Sequence, residues 1–171
     1  MAEEVKEEFL EEEEDSQRGK FMTFQTGKEH FGISISYVSE IIVMQQITAI
    51  PEVEDYIKGL INLRGKIIPV IDVRVRFKME PKEYTDRTCI IVINVKSTQV
   101  GLIVEKIAEV DTILDEDIVP PPTIGRKESE SNKYVYGLAK TGDAVKLLIA
   151  PEKLINDDDF DALEKIQEEE E

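Results

Sequence analysis

One short segment of the sequence has residues suited to recognising a partner. Asn-Leu-Arg-Gly at 62–65 stands between two apolar runs, which predicts a hairpin with Arg64 at its tip. An arginine at a hairpin tip can present its planar guanidinium to a carboxylate through two parallel hydrogen bonds. An ordinary turn with a solvated arginine fits the same residues, so both interpretations stay open at this point.

The residues that usually carry catalysis are scarce. The chain has one cysteine, Cys89, and one histidine, His30, far apart in the sequence. Cys89 heads an apolar run, where a cysteine usually packs as a small apolar residue, and no base is close to it. Residues 59–66 look like a phosphate-binding loop, but the glycines are one residue too far apart and Ile67 replaces the magnesium ligand. We predict no catalytic residues and no bound cofactor.

Metal binding is also not indicated. A single cysteine and a single histidine cannot build a zinc site. The acidic residues at 157, 159, 161 and 168 follow the spacing of a calcium loop, but Ala162 stands where the sharp turn needs glycine. Apolar residues in this segment recur at near-helical spacing, which favours a C-terminal helix starting near Pro151.

Most of the negative charge lies at the two ends. The 171 residues carry 37 acidic and 21 basic side chains, a net charge of −16. Residues 1–15 and 157–171 each hold nine acids and one base, which leaves 19 of each sign between them. The ends are typical of solvated tails, and an electrostatic arm for a basic partner is the alternative. The acidity argues against nucleic acid, and no signal peptide or apolar span is present, so we expect a cytoplasmic protein.

The central part indicates short β-strands. It is rich in β-branched residues, since the chain has 22 isoleucines and 15 valines. About ten short apolar runs are separated by turns, which is typical of one or two small barrels. Pro51 predicts a single helical turn over 51–57, and Pro69 should lie at a sheet edge or bulge. Residues 38–44 have more apolar side chains than one strand face needs, which fits either core packing or a hydrophobic groove for a partner helix.

Four motifs of the sequence occur in a characteristic order, namely Phe-Gly-Ile at 31–33, Val-x-Glu-Ile at 38–41, Gly-Leu-Ile-Asn-Leu-Arg-Gly at 59–65 and the following Pro-Val-Ile-Asp at 69–72. In residue types and spacing they resemble the CheW family of chemotaxis coupling proteins. The similarity continues at 100–110 and 137–138 and covers about residues 20–155. The Asn-Leu-Arg-Gly stretch with its flanking residues is the specific part of it.

The resemblance implies a mainly β fold of two intertwined five-stranded SH3-like barrels with a short C-terminal helix. The implied organisation is an acidic tail at 1–19, a CheW-like domain at 20–156 and an acidic helical tail at 157–171. Within the domain, the first barrel would comprise about 20–70 plus 139–156, and the second about 71–138.

The resemblance also implies a function without catalysis. Members of the family connect the cytoplasmic tips of chemoreceptors to the regulatory domain of the histidine kinase CheA, and so reach the membrane only through their partners. The family's motif arginine and its paired glutamate fall on Arg64 and Glu40. Receptor contacts are then expected at Val38, Glu40, Ile41, Arg64, Gly101 and Val110. Kinase contacts are expected at Gln46, Ile47, Thr48, Ile50, Gly59 and Gly65.

Two other functions fit the residues less specifically. A ligand-binding β-barrel would need an enclosed apolar pocket with converging polar groups. An acidic mimic would bind a basic protein through its tails, and deleting both tails separates it from an adaptor.

Overall fold

The apolar runs of the sequence form β-strands in the computed structural model, which describes residues 19–121, 134–155, 159, 161–163 and 165. The strands are β1 Lys20–Thr26, β2 Glu29–Ser34, β3 Val38–Val43, β4 Ile57–Leu63, β5 Lys66–Asp72, β6 Cys89–Val95, β7 Thr98–Val104, β8 Lys106–Thr112, β9 Ile118–Val119, β10 Val135–Thr141 and β11 Ala144–Ile149. A four-residue helix, α1, spans Val73–Arg76. Short 3₁₀ turns occupy Ile35–Tyr37, Asp115–Asp117 and Pro151–Lys153. The predicted mainly β fold is confirmed.

The strands form two sheets. The first has the order β8-β1-β2-β11-β10-β9, and the second has the order β3-β6-β7-β5-β4. Neighbouring strands are antiparallel except for β2 with β11 and β5 with β7. The β6 strand is buried along most of its length, as its continuous apolar run predicts.

The second sheet curls until its two ends meet. The chain that leaves β3 pairs with β4, where Thr48 and Leu60 exchange two backbone hydrogen bonds of 2.8 Å each. Side chains from β4, β5, β6 and β7 fill the interior of this barrel, namely Ile61, Ile68, Val70, Ile90, Val92 and Ile103.

A large apolar cluster lies between the two sheets. Phe31 of β2 stacks on Phe24 of β1 with ring centroids 5.5 Å apart, and on Phe77, just after α1, at 4.9 Å. The cluster continues into the second sheet through buried residues of β6 and β7 such as Ile91 and Leu102. The two sheets therefore share one core and are not independent units.

The sheets divide the chain differently from the predicted barrel boundaries. The second sheet takes the continuous stretch 38–104, whereas the first combines 20–34 with 106–119 and 135–149. The parallel pairing of β2 with β11 brings the C-terminal hairpin back to the N-terminal one. The predicted barrels, 20–70 for the first and 71–138 for the second, divide the chain at other residues than the two sheets do. Their boundaries stay a prediction.

Three local expectations need correction. Residues 51–56 form turns instead of a helical turn, because Glu52 has a φ of +60°, which an α-helix cannot contain. Pro69 lies on an interior strand, one residue before the stretch of β5 that pairs with β7. Pro151 begins a 3₁₀ turn, and the residues that the structure describes as helical start at Asp159.

Candidate functional site

The Asn-Leu-Arg-Gly segment forms the tight turn that joins β4 to β5. Arg64 and Gly65 both have positive φ, +53° and +85°, as a two-residue hairpin turn of the primed type requires. The Asn62 side-chain oxygen accepts a 2.8 Å hydrogen bond from the Gly65 backbone N–H. The motif thus fixes the turn and holds Arg64 at its tip, which confirms the predicted hairpin.

Arg64 forms an ion pair with Glu40 of β3. This pair connects the two ends of the second sheet, because β3 and β4 are its outermost strands. The side chains are 70% and 30% exposed, so water weakens the attraction, and such a pair contributes at most about 1 kcal/mol to folding. The guanidinium is held in place and still accessible to a partner.

The outer face of β3, opposite to the face that carries Glu40, has exposed apolar side chains. Ile41 is 41% exposed and Val43 is 74% exposed, whereas Val38 packs against the cluster between the sheets. The family resemblance implied receptor contacts at Val38 and Ile41 but did not include Val43. The alternation along β3 offered a signal, since Val43 shares its strand face with Ile41.

Two other expected receptor residues lie elsewhere. Gly101 is buried on β7, where an added Cβ would stand 2.7 Å from side-chain atoms of Val70 and Ile90. It allows the strands to pack and cannot itself touch a partner in this arrangement. Val110 is 52% exposed but belongs to β8, in the first sheet.

The expected kinase residues gather along the segment that follows β3. Gln46 and Thr48 are exposed, while Ile47 and Ile50 are partly buried. Gly59 makes this arrangement possible, because a Cβ there would lie 2.1 Å from the Thr48 carbonyl oxygen.

The Pro-Val-Ile-Asp stretch after the hairpin ends at Asp72, whose buried carboxylate positions α1 and the loop that follows it. Asp72 Oδ1 accepts from the Arg74 backbone N–H at 2.9 Å and so caps α1. Its Oδ2 accepts from the Tyr84 hydroxyl at 2.9 Å, which ties down the loop between α1 and β6. Burial, and next the Asp72 charge, raise the pKa of Tyr84 above its usual value of 10.0.

Nothing around the cysteine or the histidine favours catalysis. Burial raises the pKa of the Cys89 thiol, which disfavours the reactive thiolate. His30 is half-buried on β2, opposite Gln25 of β1 and Lys146 of β11. Among the described residues, histidine, cysteine and acidic side chains do not come together in groups of three or more that could hold a metal ion. The same residues include no helix long and apolar enough to cross a membrane.

Two cavities differ from the enclosed apolar pocket of a ligand-binding barrel. One is an open cleft of about 590 Å³ whose lining includes the acidic residues Glu52, Glu54, Asp55 and Asp159. The other holds about 10 Å³, roughly the space of one water molecule, beneath Tyr84.

Comparison with known proteins gives one consistent family. A family model described as the CheW-like domain matches residues 20–159. The chain is 33% identical over 147 residues to "Chemotaxis protein CheW" of Klebsiella aerogenes, a match that covers 86% of this chain and 87% of that protein. It is 37% identical over 111 residues to the protein of the same name from Bacillus subtilis, covering 65% and 71% of the two chains.

A solved structure has a similar fold. The scaffolding protein TtCheW from Thermoanaerobacter tengcongensis matches with a TM-score of 0.72 and 36% identity, over 80% of this chain and 91% of that one. The two-sheet arrangement described above is therefore similar to that of a protein described as a scaffold.

Proposed function

Because the chain belongs to the family of CheW-like domains, we propose that it is a non-catalytic adaptor that connects chemoreceptors to the histidine kinase CheA in chemotaxis signalling. Relatives named as chemotaxis proteins, and a solved structure named as a scaffolding protein, support the adaptor role. The raised pKa of the Cys89 thiol gives no support to an enzyme with a cysteine nucleophile.

The observation that carries this proposal is the Arg64–Glu40 pair where the two ends of the second sheet meet. Arg64 is exposed, its turn is fixed by Asn62, and Ile41 lies next to Glu40 on β3. A charged group with two-pronged geometry beside exposed apolar side chains is typical of the centre of a protein interface. We assign this surface to the helical tip of a receptor, with Val38 supporting it from the core side. Gly101 would act only through packing, and Val110 would extend the contact onto the first sheet.

The segment 46–50 is a separate surface on the same barrel, and we assign it to the regulatory domain of the kinase. Its backbone is fixed by the two hydrogen bonds between Thr48 and Leu60, so it enters a complex already ordered. Gly59 and Gly65 shape the segment and the hairpin and need not touch the partner. Through these two contacts the protein would be held in the cytoplasm beside receptor arrays.

The decisive experiment compares two charge reversals on one hairpin. Arg64→Glu is expected to abolish binding of a purified receptor tip in isothermal calorimetry and to lower kinase activation in a reconstituted assay. Lys66→Glu, two residues away and also exposed, changes the charge equally and should leave binding within about twofold of the wild type, since peripheral charges contribute little. Circular dichroism should show both variants folded.

The results distinguish the adaptor from the other candidates. Arg64→Glu with wild-type receptor binding would refute the assigned site. Loss of receptor and kinase binding after removal of both acidic tails would favour an acidic mimic instead. No binding of either partner by the folded wild type would leave a ligand-binding barrel to be tested with a metabolite screen.

A further inference from the structure

The β3 strand has a free edge along most of its length. Among the described strands only β6 pairs with it, and its outward residues are Ser39, Ile41 and Val43. Val43, at 74%, is the most exposed large apolar residue that the structure describes. An edge strand with outward apolar side chains tends to pair with other chains unless a charged or covering segment protects it. We therefore expect another segment or another protein to cover this edge.

Cations stand at both ends of the apolar row. Near one end is Arg64, which is 70% exposed and pairs with Glu40, the residue before Ile41 in β3. At the other end Val43 pairs with Cys89, and Arg87, two residues before it, is exposed. A segment that is both apolar and acidic would match this surface in polarity and in charge.

The chain itself contains such a segment. Residues 1–18 include nine acids, and among them stand two adjacent apolar side chains, Phe9 and Leu10. Eighteen residues reach up to about 60 Å when extended, which is enough to cross a protein of this size. They join the structure at Gly19, whose carbonyl oxygen accepts a 2.7 Å hydrogen bond from the Ile113 backbone N–H. The acidic C-terminal segment is a poorer match, because its Leu163 is already buried in the core.

We propose that residues 1–18 dock on β3 of the same molecule, with Phe9 and Leu10 against Ile41 and Val43 and the flanking glutamates facing Arg64 and Arg87. Attachment to the same chain gives the segment an effective concentration in the millimolar range, so weak contacts suffice. Since each contact is exposed, added salt should loosen the charged part of the interaction.

Docking would regulate the surface that we assign to the receptor. Ile41 and Arg64 cannot meet the tail and the receptor at the same time, so the tail acts as an intramolecular competitor. This consequence rests on the proposed function, whereas the docking itself does not. A tail that covers β3 half of the time would weaken receptor binding about twofold, and a more occupied one would weaken it further.

The test uses methyl NMR on the full chain and on a variant that begins at Gly19. Deletion should shift the methyl signals of Ile41 and Val43. The exposed methyl groups of Val119 and Val145, on the first sheet, serve as the control and should not move. The double substitution Phe9→Ser and Leu10→Ser in the full chain should reproduce the deletion. A rise from about 50 to 500 mM salt should move the full chain's signals toward those of the variant.

Three outcomes overturn the proposal. Unchanged Ile41 and Val43 signals mean that the tail does not dock there. Shifts at Val119 or Val145 instead place it on the first sheet. Ile41 and Val43 signals that depend on protein concentration show that a second copy covers the edge. If the expected NMR shifts occur but neither form binds a receptor tip, the docking is supported and the proposed function fails.

Discussion

Gly59 and Gly65 lie on the same hairpin at positive φ, but for different reasons. Gly59, at +146°, leaves room for the Thr48 carbonyl, which a Cβ would approach to 2.1 Å. Gly65, at +85°, would have no neighbouring atom within 4 Å of an added Cβ, so only its backbone conformation requires glycine. One glycine therefore permits barrel closure, and the other permits the turn.

The two alanine substitutions should differ in stability. Gly65→Ala should cost about 1–2 kcal/mol, the strain of a left-handed conformation. Gly59→Ala should cost more than about 3 kcal/mol, because the same kind of strain is joined by a clash with backbone that cannot move without opening the Thr48–Leu60 pair. Urea unfolding followed by circular dichroism measures both. Equal losses would show that the two ends of the second sheet are not held together at this point.

Residue types predicted the candidate site better than they predicted which of its members are accessible. The hairpin with Arg64 at its tip followed from the Asn-Leu-Arg-Gly segment between two apolar runs, and the pairing with Glu40 followed from the family resemblance. The burial of Gly101 could not be found, since it depends on Val70 and Ile90 arriving from two other strands. The alternation along β3 puts Val43 on the same strand face as Ile41, but the position of β3 at the end of its sheet depends on the fold.

At the scale of elements, α1 and the loop that follows it depend on Asp72. One carboxylate oxygen caps the helix and the other holds the Tyr84 hydroxyl, so the loop over 78–88 is positioned by the last residue of β5. Arg74 also anchors this loop, because its guanidinium donates hydrogen bonds to the Glu80 carbonyl oxygen and to the Glu105 carboxylate. The sequence predicted the strands from their periodicity but did not predict this loop's anchoring, because the partners are brought together only by the fold.

The burial of the Tyr84 hydroxyl and its contact with Asp72 should make stability depend on alkaline pH. The pKa of Tyr84 is raised in the folded chain, so its neutral phenol stabilises the fold fully below the usual value of 10.0. Above that pH the unfolded chain loses its proton first, and the contribution declines as the pH rises. The free energy of unfolding should therefore fall less steeply above pH 10 in Tyr84→Phe than in the wild type.

Urea unfolding between pH 8 and 11 measures this effect. Lysines also titrate in this range, but they are common to both proteins and cancel in the difference between the two profiles. Parallel profiles would mean that neither burial nor Asp72 raises the pKa of Tyr84 in the folded chain.

At the scale of the whole molecule, the order of the strands could not be predicted from the sequence. Runs of isoleucine and valine indicated the strands, and their number agreed with two small barrels. The pairing of β2 with β11 joins segments more than 100 residues apart and sets Phe31 beside Leu147 across a parallel ladder. Such contacts have no counterpart in local spacing, so the membership of each sheet could not be predicted from it.

The shared core predicts that both sheets unfold together. Leu148 is fully buried within the first sheet's own cluster, beside Phe21 and Ile113, so Leu148→Ala should cost about 2–5 kcal/mol. The apolar cluster between the sheets includes Phe31 from the first sheet and Leu102 from the second. The loss of stability in Leu148→Ala should therefore affect both sheets.

Native-state hydrogen exchange should then show equal losses of protection for slow amides in β1 and in β6. Val145→Ala, at an exposed position on the same strand as Leu148, should leave amide protection unchanged in both strands. Protection lost in β1 but kept in β6 would mean that the two sheets open independently. The stack of Phe31 on Phe77 argues against that result, because opening the first sheet would expose a ring in the segment that connects β5 to β6 of the second sheet.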